Sequence, residues 1–325
     1  MSKWLSVLML LPWLYGAAAA QAPAYPTRPI TLIVTAAAGG VTDVVARALG
    51  QGMTKDWGQP VVVENRGGAA HILGAATVAK AEPDGYTMMV AEAGTFTINP
   101  VIYPKGKLPY DTDTAFAPIS GLVRINQALL ADKKLPVNNA AELIALAKQK
   151  PGQFTYGTAG IGSAPHMNIE LFENMAGVKF TPVHYRGATP ALNDLRAGTV
   201  NLMSVSVSLA LPAYRAGDVK MLGIGSAKRL PQVPDIATVA ETGLPGYQAV
   251  TWFGLFGPAA MPHDLVIKLN AEVQRIFQDP DFQKRFLEPQ MFEAMPASPR
   301  EFVTFIKGEQ AKWAKVIRDG HITLE

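Results

Sequence analysis

From residue 30 onward, short apolar runs alternate with stretches whose apolar residues recur every three to four positions. Residues 30–35, 61–63 and 86–91 read as buried strands. Between the first two, residues 43–57 place Val44, Val45, Ala48, Leu49 and Met53 on one face of a helix, with Thr42 and Asp43 suited to its first turn and Gly58 to its end. A second helix is predicted over 71–81, and Pro83-Asp84-Gly85 is a turn before the third strand. Strand–helix–strand alternation of this kind builds parallel βαβ units.

Residues 116–131 lack a helical period and read as extended chain, the crossing into a second lobe. There the alternation resumes. Helices are predicted over 140–150, 166–176, 189–197 and 209–216, and strands over 154–156, 181–185, 200–207 and 219–226. The last strand returns the chain to the first lobe. Residues 250–257 form an aromatic-rich strand with Trp252, Phe253 and Phe256, and helices follow over 263–278 and 299–318. Ser298-Pro299-Arg300-Glu301 places Ser at the N-cap, Pro at the first helical position and Glu two residues later, a capping box. That helix carries Phe302, Phe305, Ile306, Trp313, Val316 and Ile317 as an apolar stripe, expected to pack on the first lobe. The organisation expected is a signal segment over 1–20, a discontinuous first lobe from 21–122 and 227–325, and a second lobe from 123–226.

Three glycine-bearing loops fall where a strand hands over to a helix: Ala36-Ala37-Ala38-Gly39-Gly40-Val41-Thr42-Asp43, Asn65-Arg66-Gly67-Gly68, and Gly157-Thr158-Ala159-Gly160-Ile161-Gly162-Ser163. In open α/β sheets ligands bind outside the C-terminal ends of the strands. Helix N-termini there offer unpaired N–H groups and partial positive charge, which suit an anion. Two such loops early in the chain and one in the second half predict two lobes facing one cleft that clamps a small carboxylate. Hydroxyls of Thr42, Thr95 and Ser163 add donors.

Composition narrows the class. Lys3, the apolar run over residues 4–15 and Ala18-Ala19-Ala20 before Gln21 read as a secretory signal cleaved near Ala20. The run is shorter than the roughly 20 residues that span a bilayer. The chain has no cysteine, which excludes a lipid-anchored cysteine, disulfides and thiol chemistry. About 305 residues remain, enough for two domains. The formal charge is +3, or +2 without Lys3, with no basic tract, so nucleic acid and polybasic membrane adhesion find no support.

Catalytic patterns are missing. The five histidines, His71, His166, His184, His263 and His321, show no zinc spacing, so no metal is expected. Ser163 and His166 lie close, but no G-x-S-x-G elbow surrounds the serine, which reads as an ordinary N-cap. Gly157-x-x-Gly160-x-Gly162 is not the dinucleotide pattern, and no Walker loop is present. Binding without chemistry and without a cofactor is what survives.

Several segments resemble the periplasmic solute-binding proteins of tripartite tricarboxylate transporters, the Bug family. They are Tyr25-Pro26-Thr27-Arg28-Pro29-Ile30, Ala38-Gly39-Gly40-Val41-Thr42-Asp43, Val62-Val63-Glu64-Asn65-Arg66, Pro83-Asp84-Gly85-Tyr86-Thr87, Ile98-Asn99-Pro100, Leu143-Ile144-Ala145-Leu146-Ala147-Lys148, Pro190-Ala191-Leu192-Asn193-Asp194-Leu195 and Ser226-Ala227-Lys228-Arg229. The resemblance covers essentially the whole mature chain. It implies an α/β, two-lobed fold of the periplasmic binding-protein type, with mostly parallel sheets, flanking helices and a ligand cleft between the lobes. It implies a monomer that captures a small organic carboxylate for a membrane permease. A sensor that presents the closed form to a membrane receptor is the alternative. Carried over, Ala37, Ala38, Gly39, Thr42 and Asp43 would hold a carboxylate, Gly94 and Thr95 would close the first-lobe side, and Gly162, Ser163, Ala164 and His166 would meet the ligand from the second lobe.

Departures from the family pattern bear on the ligand. Ala36 stands where an aromatic residue is frequent, Glu92 where small hydroxyl residues are common, and Val205 where an acidic residue is frequent. Ala36 and Val205 predict a roomier, less acidic pocket. Glu92 either faces the cleft, favouring a ligand with a donor or positive group, or points to solvent at the strand end. His71 either lines the mouth or is an exposed loop residue. Diacids, tricarboxylates, aromatic acids and nicotinate-like acids all stay open.

Overall fold

The computed structural model describes residues 25–68, 71–104 and 106–323; the expected signal segment lies outside the described residues. The first half of the chain builds β1 (Ile30–Val34), α1 (Val41–Trp57), β2 (Val61–Asn65), α2 (Ile72–Ala79) and β3 (Thr87–Glu92). Two short helices follow, α3 (Gly94–Thr97) and α4 (Asn99–Ile102), then the long strand β4 (Phe116–Asp132). The second lobe contains α5 (Ala140–Gln149), β5 (Thr155–Thr158), α6 (Ala164–Ala176), β6 (Thr181–His184), α7 (Ala188–Ala197), β7 (Leu202–Ser206), α8 (Val207–Arg215) and β8 (Val219–Ile224). The chain then returns through β9 (Val250–Pro258), α9 (His263–Gln278), the turn α10 (Pro280–Phe282), β10 (Phe292–Ala294) and α11 (Pro299–Asp319).

Within each half the strands run parallel, β2–β1–β3 in one and β6–β5–β7 in the other; the antiparallel pairs gather around β4 and β9. Strand periodicity decides the cores. Ile30, Leu32 and Val34 of β1 pack with α1 and α9, whereas Ile33 faces the cluster formed by Ala75, Val78, Phe96, Trp252 and Phe302. In the second half, Leu129 and Ala131 of β4 face α5 and α6, and Ala128 and Leu130 face α7 and α8.

The two halves are joined through one continuous strand. Asn126 of β4 pairs with Val250 of β9, and the next residue, Gln127, pairs with Ser206 of β7. The change of partner therefore falls past the expected boundary at 122/123. The returning chain meets β4 at the same point: Gln127 donates to the Ala249 carbonyl, and the Gly225 amide donates to the Gln127 carbonyl. Glycine is required at 225, where a Cβ would sit 2.7 Å from the Ala249 carbonyl oxygen.

The capping box at the start of α11 is present in full, with Ser298 accepting from the Glu301 amide and Glu301 accepting from the Ser298 amide. The helix has 21 residues, about 30 Å of length, and does not stay on one lobe. Phe302 and Ile306 pack in the first-lobe core, but Trp313, Val316 and Ile317 pack with Tyr156 and Phe172 of the second. A helix of this length and continuous stripe reaches across the seam, and the expectation that it packs on the first lobe is corrected accordingly.

Candidate functional site

A cavity of about 350 Å³ lies between the halves at the C-terminal ends of their strands. From the first half it receives His71 at the start of α2, Glu92 at the end of β3, Gly94, and Ile98, Asn99, Ile102 and Tyr103 of the α3–α4 turn. From the second it receives Ala159, Ile161, Gly162, Ser163, Ala164 and Pro165, the loop after β5 and the first turn of α6. A narrower space sharing Glu92, Gly94, Gly162 and Ala164 continues towards Thr251 and Trp313. A larger opening of about 690 Å³ near the seam holds none of the three glycine loops.

Both residues whose direction the sequence left open, Glu92 and His71, line this cavity. The His71 ring is fixed by Nδ1, 2.9 Å from the Thr35 carbonyl oxygen. A carbonyl only accepts, so Nδ1 carries the proton. Nε2 then faces Glu92 Oε2 at 3.9 Å.

The first glycine loop stands beside the cavity without lining it. Gly67 lets it pack closely, because a Cβ there would lie 2.8 Å from the Ala37 amide nitrogen. Ala37, Ala38 and Gly39 are exposed, and Ala36 is half-buried against the α1 side of the sheet. Asp43 is buried and turned onto its own loop: Oδ2 accepts from the Gly39 amide and from Arg47 Nε, both at 2.9 Å, and Oδ1 accepts from Asn65 Nδ2 at 3.0 Å. The Arg47 hydrogen bond, ahead of the Gly39 amide and Asn65, holds its carboxyl below the usual carboxylate range against the opposing effect of burial. Asp43 thus shapes the loop. The buried Thr42 lies beside it in the first turn of α1, whose amides have no acceptor within the helix.

On the second lobe, Ser163 occupies the N-cap position of α6, but its hydroxyl donates to the Gly160 carbonyl at 2.6 Å instead of capping the helix. The ordinary N-cap role expected of it is corrected: the positive-φ backbone at Gly160 (φ 118°) brings its carbonyl within reach of the hydroxyl. His166 is buried; its Nδ1 accepts from the Gly162 amide at 3.0 Å, and Nε2 faces Glu170 Oε1 at 3.6 Å. Behind it Tyr156 donates to Glu170 at 2.7 Å, and Glu173 accepts from the Phe180 amide. Lys179 lies 3.9 Å from Glu170 and 3.8 Å from Glu173. Burial raises the Glu170 carboxyl, but hydrogen bonds from His166 and Tyr156 outweigh it and the net direction is down. Burial, and then the Glu170 charge, push Glu173 up to about 8. His184 closes the side of this group through the Thr158 hydroxyl at 2.7 Å, and burial lowers its pKa.

Of the residues expected at the site, the cavity brings together Glu92, Gly94, Gly162, Ser163 and Ala164. Thr95 is fully buried, its Oγ1 without a partner. Val205 is buried in the core under α7 and α8, away from the cavity. Its neighbour Ser204 faces α6, accepting from Asn168 Nδ2 at 3.2 Å, so the strand period turns Val205 the other way. The apolar wall of Ile98, Ile102 and Ile161, and the carboxylates Glu170 and Glu173 behind His166, escaped sequence reasoning. Ile98-Asn99-Pro100 was visible as a motif, but nothing local marked it as cavity wall.

A two-lobed α/β chain with a cavity between strand-end loops is the architecture of solute-binding receptors. The chain belongs to the tripartite tricarboxylate transporter family receptors, whose family model matches residues 45–322. It is a family of substrate-binding receptors, not of enzymes. The chain is similar to Rpa4515 of R. palustris solved with adipate, at 34% identity over 92% of this chain and 99% of that one, TM-score 0.79. It is similar to MatC from Rhodopseudomonas palustris with bound malate, at 35% identity over 90% and 100%, TM-score 0.74. The periplasmic binding protein BugD matches at 33% identity over 93% and 100%, TM-score 0.75.

Proposed function

We propose that this chain is a periplasmic receptor that captures a small organic carboxylate between its lobes and delivers it, as a monomer, to a tripartite tricarboxylate type permease. The observation that carries the reading is the cavity shared by both lobes at the start of α6. The first-turn amides of Ala164 and His166 have no acceptor within that helix and suit one carboxylate. The loop from Ala36 to Asp43, at the start of α1 on the other lobe, is the natural partner for the ligand's far end when the lobes close. The adipate and malate seen in similar proteins, and the periplasmic setting of BugD, support the same class of ligand and compartment.

A thermal-shift panel of adipate, malate, citrate and nicotinate, each beside its amide, tests it. A ligand at 100 times its Kd adds about 2.7 kcal/mol to stability. A rise in Tm with an acid but not with its amide is the expected result. Equal shifts with the amides, or no shift with any acid, would refute carboxylate capture.

A further inference from the structure

We propose that His71 and Glu92 form a donor-reading pair, so that the preferred ligand is a carboxylic acid bearing a hydroxyl or ammonium group. This inference rests on the carboxylate reading above and adds a second recognition element to it. When the His71 ring carries a single proton, the Thr35 carbonyl claims it at Nδ1, 2.9 Å away, and the Nε2 lone pair is directed at Glu92. Glu92 Oε2 also only accepts, and the two atoms are 3.9 Å apart. Two acceptors at that separation repel each other weakly and share one gap. A single atom lying over the gap reaches both at about 2.8 Å, ordinary hydrogen-bond distance: an ammonium donates to each, whereas a hydroxyl has one proton to give and donates it to Glu92.

The setting makes the pair selective. Both side chains are about three-quarters buried, with side-chain exposures of 25% and 27%. Tyr103 is the one other titratable side chain among the cavity's lining residues, and much of the remaining wall is Ile98, Ile102, Ile161 and backbone. A plain dicarboxylate places an acceptor against Glu92, whereas a hydroxyl or ammonium supplies the missing donor. A site built to hydrogen-bond a donor discriminates strongly against the analogue without it, because its own polar groups are then left unpaired.

The test compares acids that differ only in that group: malate and aspartate against succinate, and 2-hydroxyadipate and 2-aminoadipate against adipate. Dissociation constants are measured by titration calorimetry with the wild-type chain and with Glu92→Gln, whose unliganded Tm reports that it is folded. The expected result is a preference of at least about tenfold for one donor-bearing class in the wild type, reduced to near unity in Glu92→Gln. The hydroxyl and ammonium arms then identify which donor is read. Equal affinity within each pair in the wild type would overturn the inference while leaving carboxylate capture intact, as it would if His71 supplied the second proton itself. A preference that survives in Glu92→Gln would also overturn it. Failure of every acid to bind would remove the carboxylate reading and this inference with it.

Discussion

Replacing Glu173 with glutamine tests whether the second lobe stores a proton behind its ligand loop. The side chain is almost fully buried, and burial, with the Glu170 charge second, pushes its carboxyl from 4.5 to about 8. Between those values the folded chain binds the proton and the unfolded chain has lost it. The contribution to stability is therefore complete below pH 4.5 and is lost as pH rises through 8. One pH unit is worth about 1.4 kcal/mol for a single group. The full span sets a ceiling of about 5 kcal/mol, and entry of water around the ionised pair lowers the expected effect to roughly 2 kcal/mol. Glutamine copies the protonated form. Its carbonyl can accept from the Phe180 amide and its N–H can donate to Glu170. Glu173→Gln should match the wild type at pH 5 and exceed its Tm by about 4 °C at pH 9. Glu272, raised to about 7 by burial, gives the same sign of pH dependence but is common to both chains. The assay is thermal unfolding from pH 5 to 9 on both proteins. Parallel Tm–pH profiles would refute the reasoning.

Two further substitutions probe the first lobe. Asp43→Asn removes the charge that Gly39, Arg47 and Asn65 converge on; a loss of about 1–2 kcal/mol is expected, together with weaker ligand binding by calorimetry. Because the Asp43 pKa is depressed, its contribution is present above the ordinary carboxylate range and is lost as pH falls, and the variant should lose that acid-side slope. Gly74→Ala sets two effects against each other. Alanine gains about 1 kcal/mol of helix propensity, but its Cβ would lie 2.9 Å from both the Arg66 carbonyl oxygen and Thr35 Cα. Those are backbone atoms, so overpacking of about 1–3 kcal/mol wins, and a lower Tm in chemical or thermal unfolding is the expected outcome.

The order of strands and helices was legible in the sequence, because each depends on a local period and on local caps. Residues 30–35, 43–57 and 299–318 announce β1, α1 and α11 by spacing alone, and Ser298 with Glu301 marks the start of α11. The glycine loops were legible for the same reason, since a strand that ends before a helix must expose amides at the turn. Elements without a period of their own were not legible: α3, α4 and β10 are too short to show one, and their apolar residues gain meaning only from what they pack against.

What tertiary structure alone decided was who meets whom. Val205 reads as a pocket residue in the sequence, but the pairing of β7 with β4 turns its neighbour Ser204 towards α6 and Val205 into the core. Asp43 reads as a ligand residue until Asn65, on the neighbouring strand, draws it onto its own loop. His71 and Glu92 are separated along the chain, and only the adjacent ends of β1 and β3, with α2 beginning beside Thr35, bring them within 3.9 Å. The Glu173 proton depends on the burial that α6 and the segment before β6 create together. Hydrophobic periodicity fixes the elements because it acts between neighbours in the chain; the site depends on desolvation and hydrogen-bond competition among residues that only folding makes neighbours.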